Sequence, residues 1–268
     1  MVGGCRGRAP DTPAGGVQRV VESYGSAPIQ EGEWFLPPTG TALPVVVLVH
    51  GGFWQPGYDR HLEDDVAAAL AADGFAVWNI DYRLADEPWP ATLLDTAAAM
   101  DHLAVSKHSA RLDLDRIAVV GHSAGGHLAL WLASRGELPA DAPGGGPAVQ
   151  VKVAVGQAPV ADLVSAAREK VGGSAVPDLV DGDPDQVADR YAVASPQALL
   201  PVKGVQITLV HGDADDRVPL RQSTAYVDAA RALGMTVGLQ VLENVGHFEH
   251  LEPDSAAVAA LRTALDDL

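Results

Sequence analysis

The sequence predicts an α/β fold in which a mostly parallel sheet of about eight strands carries helices on both faces. Short apolar segments rich in β-branched residues alternate with longer Ala- and Leu-rich segments along the chain. Residues 45–49, Val-Val-Val-Leu-Val, are apolar throughout, which is typical of a central parallel strand buried on both faces. This alternation favours a parallel sheet that is covered on both sides.

Composition excludes several classes of protein. The 268 residues include 35 acidic and 18 basic side chains, and the formal net charge of −17 opposes binding to nucleic acid or to an anionic membrane. No apolar stretch is long enough to span a bilayer, and the single cysteine, Cys5, excludes an internal disulfide. Residues 1–13 lack the apolar core of a secretory signal, and residues 1–16, rich in Gly, Pro and Arg, are expected to form a disordered leader. We therefore expect a cytoplasmic protein in which residues 17–268 form a single domain.

The elements of the fold can be assigned in order. Residues 17–24 and 29–36 have the composition of two short strands and predict an antiparallel hairpin at the sheet edge. The other predicted strands are residues 45–49, 75–80, 116–120, 151–155, 205–210 and 237–242. The predicted helices are residues 59–73, 89–106, 123–135, 221–233 and 254–265. Residues 159–201 break into short helical pieces, acidic turns and prolines, and are expected to form a small cap above the sheet.

The most informative stretch joins a strand to a helix at a serine. Residues 117–120 lead into Gly-His-Ser-Ala-Gly and then directly into helical sequence, so Ser123 lies at the apex of a sharp turn. Such a turn strains the backbone at the serine and requires small neighbours, which Gly121 and Gly125 provide. The pattern is typical of a nucleophile elbow, with the hydroxyl above the sheet and the N–H of Ala124 at a helix N-terminus.

A serine nucleophile needs a base, and the base needs a carboxylate that fixes its tautomer. Three aspartates lie in His-Gly-Asp-Ala-Asp-Asp-Arg-Val-Pro, the segment that follows the strand ending at residue 210. Because active groups gather at the carboxyl ends of parallel strands, this loop is expected near the serine. We predict Asp215 as the carboxylate, since its distance from the strand end suits a side chain turned back towards the sheet. Asp213 and Asp216 are the alternatives, and both also suit turn and cap positions.

The base is expected in the loop after the last strand, Asn-Val-Gly-His-Phe-Glu-His. A histidine in a glycine-containing loop after a strand can reach over the end of the sheet. His247 follows the glycine and is favoured, and His250 is the alternative. The histidines expected to be structural are His50, His61, His102, His108, His122, His127 and His211.

Donors for an oxyanion are expected in His-Gly-Gly-Phe-Trp, which follows the strand at residues 45–49. Glycines let the backbone approach a ligand closely with its N–H groups turned inward. We predict the N–H groups of Gly52, Phe53 and Ala124 as the three donors.

Aromatic residues in the same loops suggest the walls of a pocket. The candidates are Phe53, Trp54, Trp89 and Phe248. We predict that Trp54 and Phe248 contact the substrate, which would favour a small or aryl group, while core packing explains Trp89 equally well.

The order serine, aspartate, histidine, with an oxyanion loop upstream, resembles the α/β-hydrolase superfamily. The resemblance covers residues 17–265 and is carried by residues 47–54, 81–84, 121–129, 211–215 and 246–248. It implies the α/β-hydrolase fold and a serine acyl hydrolase that works through an acyl-enzyme.

Within the superfamily, HGGFW and GHSAGGHLA are similar to small bacterial esterases and to the kynurenine formamidase-like (arylformamidase) branch. Phe53 and Gly126 stand where formamidases tend to have Tyr and Ala, and Phe53 also replaces the third glycine of hormone-sensitive-lipase-like esterases. The resemblance therefore implies a carboxylesterase, with an arylformamidase as the alternative. A hydrolase-fold binding module that has lost turnover is a third, less favoured hypothesis, because a suitable histidine is present.

The sequence indicates no cofactor and no metal. It contains neither a G-x-x-x-x-G-K loop nor a G-x-G-x-x-G segment after the first strand, and no His or Cys group has zinc-ligand spacing. Residues 181–185, Asp-Gly-Asp-Pro-Asp, lack the glycine position and the distal Glu of a calcium loop. The expected partner is a small-molecule ester or amide substrate, and a homodimer is compatible with the sequence.

Overall fold

The computed structural model describes residues 16–266 and 268, which contain an eight-stranded sheet. The strands are β1 (Gln18–Ser23), β2 (Glu31–Leu36), β3 (Leu43–Val49), β4 (Ala76–Ile80), β5 (Leu112–His122), β6 (Val153–Gln157), β7 (Gln206–Gly212) and β8 (Val237–Leu242). The helices are α1 (Asp64–Ala72), α2 (Ala91–Asp101), α3 (Ala124–Ser134), α4 (Leu163–Arg168), α5 (Ala175–Val180), α6 (Ala188–Ala194), α7 (Arg221–Ala232) and α8 (Ala256–Leu265). Residues 1–15, nearly all of the predicted leader, lie outside the described residues.

The strands are arranged in the order β1-β2-β4-β3-β5-β6-β7-β8. β1 and β2 form an antiparallel hairpin, and β2 also runs antiparallel to β4. Every neighbouring pair from β4 to β8 is parallel. The predicted architecture, a mostly parallel sheet with an antiparallel hairpin at one edge, is confirmed.

Strand β3 shows why its sequence is apolar throughout. Val45, Val47 and Val49 belong to an apolar cluster that includes side chains of α2, α3 and α7. Val46 and Leu48 point to the other face, into a cluster with α1 and α8. Since helices cover both faces, both alternating sets of side chains in residues 45–49 are fully buried.

Strand β5 is the strand whose start differs most from the prediction. It begins at Leu112 and not at residue 116, and Leu112 pairs with Leu43 before a bulge shifts the register. Asp113 and Asp115 interrupt the apolar pattern in this part of the strand. Residues 112–116 therefore lack the continuous apolar pattern from which the rest of the strand was predicted.

Two predicted helices are shorter than expected because a 3-10 turn occupies one end. Residues 59–73 begin with the turn Arg60–Glu63, and residues 89–106 continue after α2 as the turn His102–Ala104. The longest described α-helix, α7, has 12 residues. None of the helices in residues 16–266 is long and apolar enough to cross a membrane.

Residues 159–201 contain the three short helices α4, α5 and α6 between β6 and β7. Leu163, Val176 and Tyr191, one from each helix, are buried in the cluster that also contains α3. The segment is therefore packed onto the rest of the chain. Its role as a cap and the division of the chain into domains stay predictions.

Glu63, at the end of the 3-10 turn before α1, is an acid buried in the core. Its side chain is fully buried, and neither carboxylate oxygen has a hydrogen-bond partner among the described residues. Burial raises the pKa of Glu63 to about 8. An acid whose folded pKa exceeds its unfolded value of about 4.3 takes up a proton on folding, so stability falls as pH rises between these values.

Replacing Glu63 with Gln should remove this pH dependence. From about pH 5 to about pH 9 the wild-type protein should lose several kcal/mol more unfolding free energy than Glu63→Gln, since each pKa unit corresponds to about 1.4 kcal/mol. Urea unfolding at a series of pH values measures the difference. Asp65→Asn, at an exposed position of α1, is the control and should retain the wild-type profile. Parallel profiles for the wild type and Glu63→Gln would contradict the assignment.

Candidate active site

Ser123 alone makes the turn between a strand and a helix. β5 ends at His122 and α3 begins at Ala124, and Ser123 has φ 58° and ψ −117°. This conformation is strained for a residue with a Cβ. The N–H of Ser123 donates to the carbonyl of Gln157 at 2.8 Å, which ties the turn to the end of β6. The backbone geometry is that of a nucleophile elbow.

The glycines around Ser123 are required by close contacts with backbone. A Cβ on Gly121 would lie 2.1 Å from the carbonyl oxygen of Gly125, and a Cβ on Gly125 would lie 2.0 Å from that of Val49. A Cβ on Gly126 would lie 2.9 Å from the Cβ of Pro159. Side chains at these positions would displace the main chain of the elbow. The contact with Pro159 explains why position 126 is a glycine.

The loops after β7 and β8 bring Asp215 and His247 together. His247 Nδ1 lies 2.7 Å from Asp215 Oδ2, and both side chains are almost fully buried. Asp215 Oδ1 accepts from the N–H groups of Arg217 and Val218 at 2.8 and 2.9 Å. These bonds orient the carboxylate, which in turn favours the His247 tautomer protonated at Nδ1 and leaves Nε2 free for chemistry.

The environment of Asp215 keeps it ionised. Burial would raise the pKa of Asp215, but hydrogen bonds from His211 and His247 and from the N–H of Val218 outweigh it and hold the pKa well below its ordinary value. His211 Nε2 lies 3.3 Å from Asp215 Oδ2, and its Nδ1 lies 2.7 Å from the hydroxyl of Ser223. Asp215 therefore presents a negative charge that can support a positive charge on His247.

The residues predicted as alternatives to Asp215 and His247 do not take part in this pair. Asp213 Oδ1 accepts from the N–H of Asn244 at 2.7 Å and so joins two loops, whereas Asp216 is exposed. His250 is fully buried, and neither of its ring nitrogens has a partner in the described part of the chain. Burial and the neighbouring histidines lower the pKa of His250 to about 3, so it is neutral at pH 7. It does not line the cavity that contains the serine.

Ser123 and His247 line one cavity of about 200 Å³. Among the described residues no hydrogen bond joins the Ser123 hydroxyl to His247, so the structure links His247 to Asp215 but leaves the serine unbonded. Bonds of this kind are often long before substrate binds and tighten in the reacting complex. The arrangement provides a hydroxyl, an imidazole and a carboxylate in one place.

The loop after β3 lies directly against the elbow. A Cβ on Gly51 would lie 2.9 Å from the carbonyl oxygen of His122 and 3.1 Å from the Cβ of Ser123. The loop is braced from behind, because the hydroxyl of Tyr82 donates to the carbonyl of His50 at 2.7 Å and the two rings stack at 4.4 Å. The predicted oxyanion loop is therefore held next to the serine.

Three N–H groups near the serine are available to a ligand. Gly52 and Phe53 have φ of 112° and 53°, and the Gly52 carbonyl closes the turn by accepting from the N–H of Gln55 at 3.0 Å. Within the described residues, the N–H groups of Gly52, Phe53 and Ala124 donate to no backbone or side-chain acceptor. The first N–H groups of a helix have no acceptor within it, which leaves that of Ala124 free as well.

Phe53 and Phe248 line the cavity, but Trp54 does not. The Trp54 side chain is fully buried, and its ring meets His127 edge-on at 5.1 Å. Phe53 and Trp54 are consecutive left-handed residues, with φ of 53° and 56°, so the chain turns sharply and only one of the two side chains reaches the cavity. The prediction that Trp54 contacts the substrate is wrong. Trp89 packs against the hydrophobic core.

Several cavity residues were not predicted. They are Tyr58, Leu62, Arg217 and Leu251. Arg217 could have been found, because it lies two residues after Asp215 in the loop that the sequence had placed at the site. Tyr58, Leu62 and Leu251 belong to no motif, and only the packing of distant loops brings them to the cavity.

His122 also lies in the cavity wall, beside the proposed base. Its Nε2 lies 2.8 Å from the carbonyl oxygen of His247, and the two ring centroids are 4.5 Å apart. Burial, with the nearby His247 and His250, lowers the pKa of His122 well below its ordinary value. His122 is therefore a neutral donor that holds the His247 backbone.

One group of side chains in the described part of the chain has a spacing that a metal ion could use. The ligand atoms of Glu33, His61 and Asp64 lie within 4.8 Å of one another. Arg19 Nη2 lies 2.7 Å from a carboxylate oxygen of both acids. The guanidinium already pairs with this group, and no metal is assigned.

An elbow serine after β5, an acid after β7 and a histidine after β8 on a mostly parallel sheet define an α/β-hydrolase. Solved structures share the fold: esterase B from Lactobacillus rhamnosis superposes with a TM-score of 0.81 and 22% identity over 96% of this chain and 87% of that one. A truncated carbohydrate esterase from gut microbiota superposes with a TM-score of 0.80 and 21% identity, over 98% of this chain and 99% of the esterase chain. The chain belongs to the BD-FAE family, whose profile matches residues 33–229.

Several curated relatives are esterases of Mycobacterium tuberculosis. Esterase LipC is 31% identical over 219 residues, which are 78% of this chain and 54% of LipC. Carboxylesterase NlhH is 41% identical over 121 residues, 43% of this chain and 37% of NlhH. The chain thus spans about half the length, or less, of these relatives.

Proposed function

We propose that this protein is a serine carboxylesterase that hydrolyses a small ester through an acyl-enzyme. The observation that carries the proposal is the pair formed by His247 and Asp215, which shares a cavity with Ser123. A buried carboxylate bonded to Nδ1 prepares an imidazole to accept a proton at Nε2. The relatives are named esterase and carboxylesterase, which supports an ester as the substrate.

In the proposed reaction, Ser123 Oγ attacks the ester carbonyl carbon while His247 Nε2 takes the hydroxyl proton. Negative charge develops on the carbonyl oxygen, which accepts hydrogen bonds from the N–H groups of Gly52, Phe53 and Ala124. Collapse of the tetrahedral intermediate breaks the bond to the alcohol, which leaves with the proton from His247. A water molecule then attacks the acyl carbon while His247 Nε2 takes its proton. The bond between the acyl carbon and Ser123 Oγ breaks, His247 returns the proton to Ser123 Oγ, and the acid is released.

The cavity favours a small or aryl ester. Its volume of about 200 Å³ is below the range of about 300–1,000 Å³ that is common for ligand pockets. The apolar side chains in its walls are Phe53, Tyr58, Leu62, Phe248 and Leu251. The ring of Phe53 also packs against Gly172 in residues 159–201, because a Cβ added to Gly172 would lie 2.4 Å from Cδ1 of Phe53. The proposed cap therefore helps to hold one wall of the site.

The arylformamidase alternative uses the same three side chains and differs only in the substrate. Neither the cavity walls nor the names of the relatives favour a formamide, so ester hydrolysis is the first choice. A cytoplasmic location, a homodimer and the cap role of residues 159–201 remain predictions from the sequence.

The test is hydrolysis of p-nitrophenyl esters from acetate to dodecanoate, alongside N-formylkynurenine. Turnover should be highest for the short esters, because the cavity is small. A fluorophosphonate should add to Ser123 alone, as located by peptide mass mapping, and should not add to heat-denatured protein. No ester turnover, together with an adduct at another residue, would refute the proposal. Faster cleavage of N-formylkynurenine than of every ester would assign the site to formamides.

A further inference from the structure

Arg217 is a feature of the site that ester hydrolysis does not require. It lines the cavity with Ser123 and His247. The N–H of Arg217 donates to Oδ1 of Asp215, so the backbone that carries the guanidinium is fixed by the same carboxylate that holds His247. The guanidinium carbon lies 5.8 Å from the ring centroid of Phe248, a cation–π distance that holds the side chain at the cavity wall.

The charge of Arg217 is only weakly engaged within the protein. Its ion-pair partner is Asp216 at 3.4 Å, and the side chains are 55% and 79% exposed. An exposed pair of this kind contributes little and can exchange its partner for a ligand. Arg60 and Arg135, by contrast, are nearly buried and paired with carboxylates. Arg217 is therefore free to bind an incoming anion in a way that these two arginines are not.

The rest of the cavity wall has no negative charge. None of the described residues that line it carries a carboxylate, although the chain as a whole has 35 acidic against 18 basic side chains. His122 contributes no positive charge at neutral pH, because burial holds its pKa well below the ordinary value. The cavity thus combines apolar walls with one permanent cation at an exposed position. Guanidinium groups bind carboxylates in a fork of two hydrogen bonds.

We propose that Arg217 is a specificity residue that binds a carboxylate group of the substrate, so that the preferred substrates are esters bearing a free carboxylate away from the ester bond. This inference rests on the proposed esterase function and names the substrate class for it. The substrate carboxylate replaces Asp216 as the partner of the guanidinium. Because Arg217 does not touch the reacting atoms in this arrangement, its effect falls mainly on KM.

The test compares carboxylate esters with their neutral amide isosteres. Monoethyl glutarate and ethyl glutaramate form the pair for the acyl side, and 4-acetoxybenzoate and 4-acetoxybenzamide form the pair for the alcohol side. At about 0.15 M ionic strength, where the Debye length is about 8 Å, the distant acidic charges of the protein are largely screened. The wild-type kcat/KM should be about tenfold higher, or more, for the carboxylate member of one pair. The pair that responds locates the carboxylate on the acyl or the alcohol side.

Variants then assign this preference to Arg217. Arg217→Gln should lower kcat/KM for the carboxylate ester by about tenfold through KM, and should leave the amide isostere within about twofold. Asp216→Asn removes the competing carboxylate and should raise kcat/KM for the carboxylate ester alone. The control is Arg221→Gln, which removes an equally exposed guanidinium that pairs with Glu169 outside the cavity wall and should change neither substrate.

Three outcomes would overturn the inference. Equal hydrolysis of both members in each pair by the wild type would show that no carboxylate is recognised, while the esterase function would stand. An equal loss for both members in Arg217→Gln would show that the side chain only packs against Phe248. No turnover of any ester by the wild type would overturn the proposed function and this inference with it.

Discussion

Replacing Ser123 with alanine is expected to lower kcat for p-nitrophenyl acetate by at least about 10,000-fold, because the variant has no nucleophile to form the acyl-enzyme. Within the described residues the Ser123 hydroxyl makes no hydrogen bond, so its removal should leave the thermal unfolding temperature unchanged. Initial rates of p-nitrophenolate release and a melting curve on the same preparation measure both effects.

Ser134→Ala is the matched control for this loss. Ser134 is fully buried in the same helix, α3, and its hydroxyl donates to the carbonyl of Leu130 at 2.8 Å, away from the cavity. It should retain wild-type turnover even if it lowers stability slightly. A Ser123→Ala protein within about tenfold of the wild-type rate would remove Ser123 from the proposed mechanism.

The parts of the fold that the sequence predicted are those in which local pattern and tertiary environment agree. The five apolar residues 45–49 of β3 are buried on both faces, so their continuous hydrophobicity matched a central strand. The elbow was equally predictable, because the close approaches at Gly121 and Gly125 leave room for no other residue. In both cases the contacts come from other parts of the fold, such as Val49 against Gly125, but the requirement that they impose leaves a recognisable local sequence pattern.

The features of the fold and of the site that the sequence did not predict depend on contacts between distant residues or on backbone turns. Asp113 and Asp115 hid the first residues of β5, which are strand only because β3 lies beside them. Trp54 was assigned to the pocket with Phe53, but the left-handed turn at both residues places it in the core. Tyr58, Leu62 and Leu251 reach the cavity only through the packing of distant loops, whereas Arg217 lies in the loop of Asp215, which the sequence does place at the site.

The histidines around the site illustrate the same limit. His211 approaches the proposed carboxylate, and His122 holds the backbone of His247, although the sequence could describe both only as structural. Hydrogen bonds from His211, His247 and the N–H of Val218 together outweigh burial and lower the pKa of Asp215. The charge on Asp215 is thus a property of the assembled loops and not of the aspartate alone.

Asp215→Asn is expected to lower kcat for a neutral ester by about 10,000-fold at neutral pH. The Asn oxygen would keep the bonds from the N–H groups of Arg217 and Val218, which places its NH₂ opposite Nδ1 of His247. Nδ1 must then accept a hydrogen bond, so the imidazole carries its proton on Nε2 and cannot take one from Ser123. Steady-state kinetics measure the loss, and nitrogen NMR of the histidines reports the change of tautomer.

The carboxylate of Asp215 should also contribute to stability in a direction that pH reveals. Because its folded pKa is depressed, the contribution is present above the unfolded value of about 3.9 and is lost as pH falls towards the lower folded pKa. Asp215→Asn should therefore be less stable than the wild type at neutral pH, and the difference should shrink on acidification. Asp216→Asn, at an exposed position, should match the wild type in stability and in turnover of the neutral ester. If Asp216→Asn were instead the inactive protein, the carboxylate that supports His247 would be Asp216, and the loop would have to close differently in solution.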